Sequence, residues 1–251
     1  MQNISWKDIL NQLETGKIRA AYLEDGVWKA NEEVKEAILA SFGAGENMAY
    51  GGIYDGFIDK NNLPPRKFLV EDNVRLVPGG SSVRHGAYVA PGVIIMPPAY
   101  INVGAYVDEG SMVDSHALVG SCAQVGKNVH LSAGVQLGGV LEPVGLAPVV
   151  IEDDCFIGAG SVIVEGIQVK KRAVIAPGVT LSKSIPVYDC VHKNRLEKGS
   201  PIPEGAVVIP GTRPVAGDWA VQQGLSMACP LIVKYRDEQS DASLELEEAL
   251  R

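Results

Sequence analysis

Aliphatic residues occupy every sixth position from Val77 to Leu137: Val77, Val83, Val89, Ile95, Ile101, Val107, Val113, Val119, Val125, Leu131 and Leu137. The same period resumes in a new phase as Ile151, Ile157, Ile163, Val169, Ile175 and Leu181. Four residues after these positions stands a small or β-branched residue, such as Ala87, Ala99, Ala105, Ser111, Ala117, Ala123, Ser161 or Ala173. A helix repeats every 3.6 residues and a strand every second one, so neither generates a period of six. A chain that turns a corner every six residues does, with each aliphatic side chain aimed at a central axis. The pattern therefore predicts a mainly β fold, a parallel β-helix with three hexapeptides per coil and strands stacked about 4.8 Å apart. Each inward aliphatic contributes about 1.5–3 kcal/mol when fully buried. Prisms of this repeat wind left-handed, against the usual right-handed parallel crossover, and the repeat's known signature alone sets that expectation.

The flanks read differently. Residues 1–70 predict a small helical N-terminal domain. Ser5 and Asp8 make a capping-box-like start before Ile9, Leu10 and Leu13, with Gly16 as the stop. Asp25-Gly26 joins Arg19–Leu23 to Val27–Lys29 as a hairpin. A second helix follows Asn31, carries Val34, Ala37, Ile38 and Phe42 on one face, and ends at Gly43. Gly43–Pro65, rich in Gly, Asn and Asp, reads as a loop or linker. The β-helix is expected over 71–212, with a loop insertion at about 138–150. There the period calls for aliphatics at 143 and 149, and the chain has Gly138-Gly139, Pro143, Gly145 and Pro148 instead. A loop leaving a regular prism is where such a fold can enclose a site. Ile202 and Ala206–Ile209 read as closing coils, and 213–251 as a short extension with a strand at Ala228–Val233 and a helix at Leu244–Leu250.

Composition narrows the partners. A net charge of −8 argues against nucleic acid or an anionic membrane as the main partner, without excluding a small anionic substrate. The start lacks a basic segment followed by an apolar run, and no stretch of ~18 apolar residues occurs, so a cytoplasmic protein is expected. Cys122, Cys155, Cys190 and Cys229 are scattered without a CxxC pair, and read as reduced thiols. Cys122 and Cys155 fall on repeat positions as core filler.

Candidate chemistry concentrates in Tyr106–His116, which holds Asp108, Glu109, Asp114 and His116. Asp108 and Asp114 each follow an inward aliphatic, which places both facing outward on equivalent faces of neighbouring hexapeptides. Either is a solvated turn carboxylate or a general base for an amine nucleophile. His85, His116, His130 and His192 show no H-x₃₋₅-H spacing, so no metal site is expected. His130 is a second candidate base. Lys127, Lys170, Lys171, Arg172 and Lys183 cluster late in the prism, as solvated turn residues or as partners for a nucleotide-tailed donor's phosphates.

Three runs carry a resemblance: Ile101–Asp114, Val119–Leu131 and Gly138–Pro143, continued by Ile151–Gly158. Together with Gly16–Ala20, Asp25–Trp28, Arg75–Pro78, Pro203…Val208 and Ile232–Lys234, they resemble the tetrahydrodipicolinate N-succinyltransferases over nearly the whole chain. The resemblance implies a homotrimer with sites between neighbouring prisms. It also implies succinyl transfer from succinyl-CoA, without a metal, to the amine of the opened dicarboxylate acceptor in lysine and diaminopimelate biosynthesis. In that reading Arg75 binds a substrate carboxylate and Asp114 contacts the amine as base. The donor lies along the groove between prisms, with Gly138, Ala159, Ala176 and Lys183 as its contacts. The chain departs from the family at Gly160 and Val162, where better-known members carry an arginine and a glutamate. Gly160–Glu165 resembles the sister enzymes that transfer acetyl to the same acceptor. An acetyl-CoA enzyme and a non-catalytic trimeric β-helix binding module stay open beside the succinyl reading.

Overall fold

The structure is a computed structural model that describes residues 5–236. Its centre is the left-handed parallel β-helix that the six-residue period calls for. Strands of two residues pair in parallel with strands one coil away, as Val119 does with Ile101 below and Leu137 above. Three faces result. The outward residues of the first are Tyr88, Tyr106, Gln124, Val150 and Gln168. Those of the second are Arg75, Ile94, Met112, His130, Phe156 and Val174. Those of the third are Ser82, Tyr100, Leu118, Gln136, Val162 and Thr180. Val83 to Leu137 and Ile151 to Leu181 all lie inside.

The first member of the series does not. Leu76, not Val77, pairs with Ile95 and packs on the core, and Val77 is only half-buried. The corner Pro78-Gly79-Gly80 holds one residue more than the later corners. Gly79 and Gly80 take φ of +140° and +99°, the left-handed region open to glycine. The extra residue shifts the register behind it.

The small residues at the fourth step do more than fill space. Ser111 donates to the Gly126 carbonyl at 2.7 Å, Cys155 to Lys170 at 3.1 Å and Ser161 to Ala176 at 3.0 Å. Each stitches a corner to the next coil, and burial pushes the Cys155 thiol up to about 12, so it stays a protonated donor. Cys122 fills a core as expected, but a second one outside the prism. It sits on a corner at φ 65°, in the cluster of Leu10, Ile38 and Val103 that joins the N-terminal domain to the prism.

That domain has α1 (Trp6–Glu14), the hairpin β1 (Ala21–Glu24) and β2 (Val27–Ala30), and α2 (Glu32–Ala44). Ser5 and Asn31 cap the helices through Asp8 N and Val34 N. The hairpin lies over the first face: Arg19 bonds Gln124 at 2.8 Å and stacks on Tyr106, and Gln168 bonds Trp28. The stretch expected as a loop, Gly43–Pro65, carries a second hairpin, β3 (Asn47–Ala49) and β4 (Ile58–Lys60). The insertion runs from Gly138 to Val149, and fully buried Lys35 on α2 donates to its Leu146 carbonyl.

Beyond the last coil, Ala206–Ile209 pairs with Leu231–Tyr235, slightly later than the expected strand, and Ser226–Ala228 forms a further strand. The expected helix at Leu244–Leu250 lies outside the described residues. Asp189 is buried here. Burial raises its pKa, but bonds from the His192 and Val191 amides, the Tyr235 hydroxyl and the His192 ring outweigh that and hold it at about 2. A depressed folded pKa stabilises above the ordinary value of 3.8 and is lost as pH falls toward 2. Asp189→Asn should therefore lower Tm at neutral pH, with the gap from the parent closing below about pH 4. A gap that ignores pH in thermal melts would assign the loss to packing alone.

Candidate functional site

The three corners of the prism differ in chemistry. The corner between first and second faces carries Asp108, Glu109, Lys127, Glu152, Asp153 and Lys170. These are matched to one another: Glu109 pairs with Lys127 at 2.6 Å and Glu152 with Lys170 at 2.9 Å. Asp108 turns back to cap the Glu109 amide at 2.9 Å. The Glu109–Lys127 pair is solvated and worth little. Glu152 and Lys170 are instead shielded by the β1–β2 hairpin, Glu152 accepting from Trp28 Nε1 and Lys170 donating to Gly26 O. The corner between third and first faces is covered by α2, Cys122 and the Gly138–Val149 loop.

The corner between second and third faces is neither covered by the N-terminal helices nor charged along its length. Its column is Met96–Ala99, Asp114–Ala117, Ser132–Val135, Gly158–Ser161 and Ala176–Val179. Asp114 is the one carboxylate among these residues and His116 the one imidazole. The rest are small, apolar or proline. At Gly158 a Cβ would lie 2.4 Å from Pro177 N, so the coils there pack backbone to backbone. A ligand can approach such a corner closely and meet peptide groups rather than side chains.

The turn that holds Asp114 is stitched from several sides. Its amide donates to Leu131 O at 2.9 Å, and its Oδ1 accepts from the Ser115 amide at 2.7 Å. Oδ2 has no protein partner among the described residues and is left for an incoming donor. Next door, His116 takes a left-handed φ of 62° and donates its amide to Pro98 O. Gln136, one rung up on the third face, donates to both His116 O and Gly134 O, at 3.1 and 3.2 Å. A half-buried carboxylate on a rigid turn, with one oxygen free, can accept a proton from a positioned amine.

The sequence candidates distribute as follows. Asp114, Ala159 and Ala176 share the second–third corner, and Gly138 and Lys183 the third–first corner, so all five flank the third face. Arg75 is not brought against Asp114. It is exposed at the lower end of the second face, two rungs below Met112, roughly 10 Å along the axis. Asp108 and Asp114 take equivalent positions on neighbouring hexapeptides, as expected, and those positions are different corners of the prism, because six residues advance the chain by one whole face. His130 stacks on Phe156 at 5.2 Å on the second face. Gly160 sits on the open corner with no atom within 4 Å of where a Cβ would go, and Val162 faces outward between Gln136 and Thr180. No outward strand residue of the third face is a carboxylate, so Asp114 has no acidic partner there. Gln136 is the residue that sequence reasoning missed. Its signal is weak: an amide where neighbouring rungs carry leucine and valine.

Comparison with known proteins follows the same lines. The family described as the tetrahydrodipicolinate N-succinyltransferase N-terminal domain matches residues 5–44, and the hexapeptide repeat of succinyl-transferase matches 148–183. The chain is 46% identical over 253 aligned residues to a 2,3,4,5-tetrahydropyridine-2,6-dicarboxylate N-succinyltransferase of Nitrosococcus oceani, covering 98% of this chain and 88% of the relative. It is 42% identical to the Pectobacterium atrosepticum protein of the same name, covering 96% and 86%. Among solved structures, a Campylobacter jejuni protein assigned as a 2,3,4,5-tetrahydropyridine-2-carboxylate N-succinyltransferase superposes with a TM-score of 0.61 at 19% identity. That match covers 90% of this chain and 63% of the other, and it shows the shared fold.

Proposed function

This chain belongs to the tetrahydrodipicolinate N-succinyltransferase family, and from that membership we propose that it moves succinyl from succinyl-CoA to the amine of opened tetrahydrodipicolinate in lysine and diaminopimelate biosynthesis. The observation that carries this is near-full-length identity of 46% to a relative bearing that name. The corner geometry supports it. Asp114 presents a free carboxylate oxygen over backbone-lined coils, where an amine and a thioester can be held together.

The chemistry asks for few groups. The acceptor amine attacks the thioester carbonyl, the C–N bond forms, the C–S bond breaks, and the thiolate of coenzyme A leaves. Asp114 accepts the proton the amine must lose and returns it to the departing thiolate. Arg75 binds a substrate carboxylate as a charge-assisted partner. Its distance from Asp114 within one prism fits a site completed by a neighbouring copy, so we read the assembly as a homotrimer in the cytoplasm. Sedimentation equilibrium should give the mass of three chains, and a dilute-solution monomer that is fully active would defeat the shared site.

The donor follows from the relatives rather than from Gly160–Glu165, whose acetyl-like pattern the comparisons do not favour. Succinyl carries a carboxylate that acetyl lacks, and a site that matches it rejects the shorter acyl group. We expect kcat/KM for succinyl-CoA to exceed that for acetyl-CoA by at least ~10-fold, or ~1.4 kcal/mol of discrimination. Side-by-side initial rates test it. Equal rates, or faster acetyl transfer, would remove the succinyl assignment and leave the fold and acceptor standing.

A further inference from the structure

Gln136 stands half-buried on the third face, with Leu118 one rung below and Val162 one rung above, so its neighbours along that face are apolar. Its side chain reaches back to the open corner. There Nε2 donates to His116 O at 3.1 Å and to Gly134 O at 3.2 Å. His116 lies in the turn that Asp114 opens and Ala117 closes, and Gly134 in the equivalent turn one coil up, Ser132–Val135. One amide therefore ties together two stacked turns, the lower of which carries Asp114.

Those two bonds settle which way the amide faces. A carbonyl oxygen accepts and does not donate, so the NH2 end, with its two hydrogens, must meet both carbonyls. Reversing the amide would set oxygen against oxygen twice. Oε1 is thus turned away from the backbone, and it has no protein partner among the described residues. Asp114 Oδ2 is in the same condition. The Asp114 turn and the side chain clamped to it present two acceptor oxygens at one corner, one charged and one neutral.

An acceptor in apolar company becomes costly once water leaves it. When a thioester covers this corner, Oε1 needs a hydrogen from the ligand. A peptide-type amide of the donor carries one N–H and can satisfy one of the two oxygens. A primary amine carries two hydrogens on one nitrogen and can satisfy both.

We propose that Gln136 holds the acceptor amine jointly with Asp114, its Oε1 taking the N–H that stays on nitrogen. This deepens the succinyl-transfer reading and rests on it. The hydrogens divide completely. The amine lone pair forms the C–N bond, and the hydrogen on Asp114 Oδ2 is given up to that carboxylate and passes to the departing thiolate. The hydrogen on Gln136 Oε1 survives as the N–H of the new amide. A neutral amide suits that task, because it accepts a hydrogen bond without competing for the proton. With both hydrogens held, the lone pair points at the thioester carbon, so the contribution of Gln136 is orientation.

Steady-state kinetics with opened tetrahydrodipicolinate and succinyl-CoA test this on the parent, Gln136→Leu, Gln136→Glu and Gln136→Lys. Leucine keeps neither end of the amide. Its kcat should fall ~10–100-fold, the worth of a hydrogen bond to a charged group. The loss should fall on kcat more than on the acceptor KM, because the bond strengthens as nitrogen becomes cationic in the transition state. The donor KM should hold.

The charged pair separates orientation of the amine from bracing of the turn. Near neutral pH glutamate is ionised, keeps an acceptor oxygen at the same reach and loses both donors. Lysine keeps donors for His116 O and Gly134 O and has no acceptor. Rates are read in ~1 M salt, where a Debye length of about 3 Å mutes the added charges. Gln136→Glu should turn over at least ~5-fold faster than Gln136→Lys. A role confined to bracing the His116 turn reverses that order, since lysine alone can still bond the two carbonyls. The reversed or an equal order, near-parental kcat in Gln136→Leu, or a loss confined to the donor KM overturns the assignment. Circular dichroism melts accompany the rates, and the order of Gln136→Glu and Gln136→Lys decides even where Gln136→Leu melts low. A parent that transfers no succinyl to this acceptor overturns the proposed function and this assignment with it; an active parent with the reversed order overturns this assignment alone.

Discussion

Asp114→Asn should leave the prism intact and lower kcat by ~10²–10⁴-fold, the usual worth of a positioned general base. The amide is isosteric, so Oδ1 can still accept the Ser115 amide and the turn keeps its shape. What disappears is the basic Oδ2. The second–third corner holds no other carboxylate among its described residues, and its one other titratable side chain is the imidazole of His116. Arg75→Met gives the contrasting signature. It removes a bond made in ground state and transition state alike, so KM for the acceptor should rise while kcat changes little. Initial rates over a matrix of acceptor and donor concentrations separate the two. Near-parental turnover in Asp114→Asn would move the base elsewhere, with His130 next in line.

How much of this was legible in the sequence depends on what the period encodes. The inward positions from Val83 to Leu181 were all readable, since an aliphatic at every sixth place has one geometrical meaning. The start was not, because Leu76 and Val77 are both aliphatic and only the Pro78-Gly79-Gly80 corner shows that the register slips. The hairpin within Gly43–Pro65 was missed for a different reason. Its strands are three residues long and leave Met48 and Ile58 exposed, so no alternation marks them.

The site column is harder still. Asp114, Ser132, Gly158 and Ala176 stack on one corner, and their spacing is regular only after the inserted loop is subtracted. Sequence proximity therefore grouped Asp114 with Asp108 and Glu109, which the prism sends to another corner.

The other large effect concerns the axis itself. Ile101 and Val119 are fully buried and adjacent in the same inward stack. Ile101→Asp or Val119→Asp would place a carboxylate among aliphatic neighbours with no cation or amide to meet it. The inward wall has none to offer, because its backbone amides are already committed to the ladder between coils. Ser111, Cys155 and Ser161 show what the interior does accept: one small polar atom at a corner, already matched to a carbonyl. An aspartate on the axis has no such outlet, and an unpaired buried charge costs several kcal/mol even after its pKa rises. That is comparable with the ~5–15 kcal/mol by which a domain of ordinary stability stays folded. We therefore expect either variant to be insoluble or to melt far below the parent. Leu118→Asp, one residue away but facing outward on the third face, should be much milder. Circular dichroism melts of the three side by side test the phase of the repeat directly, because an inversion of that order would mean that inside and outside are exchanged.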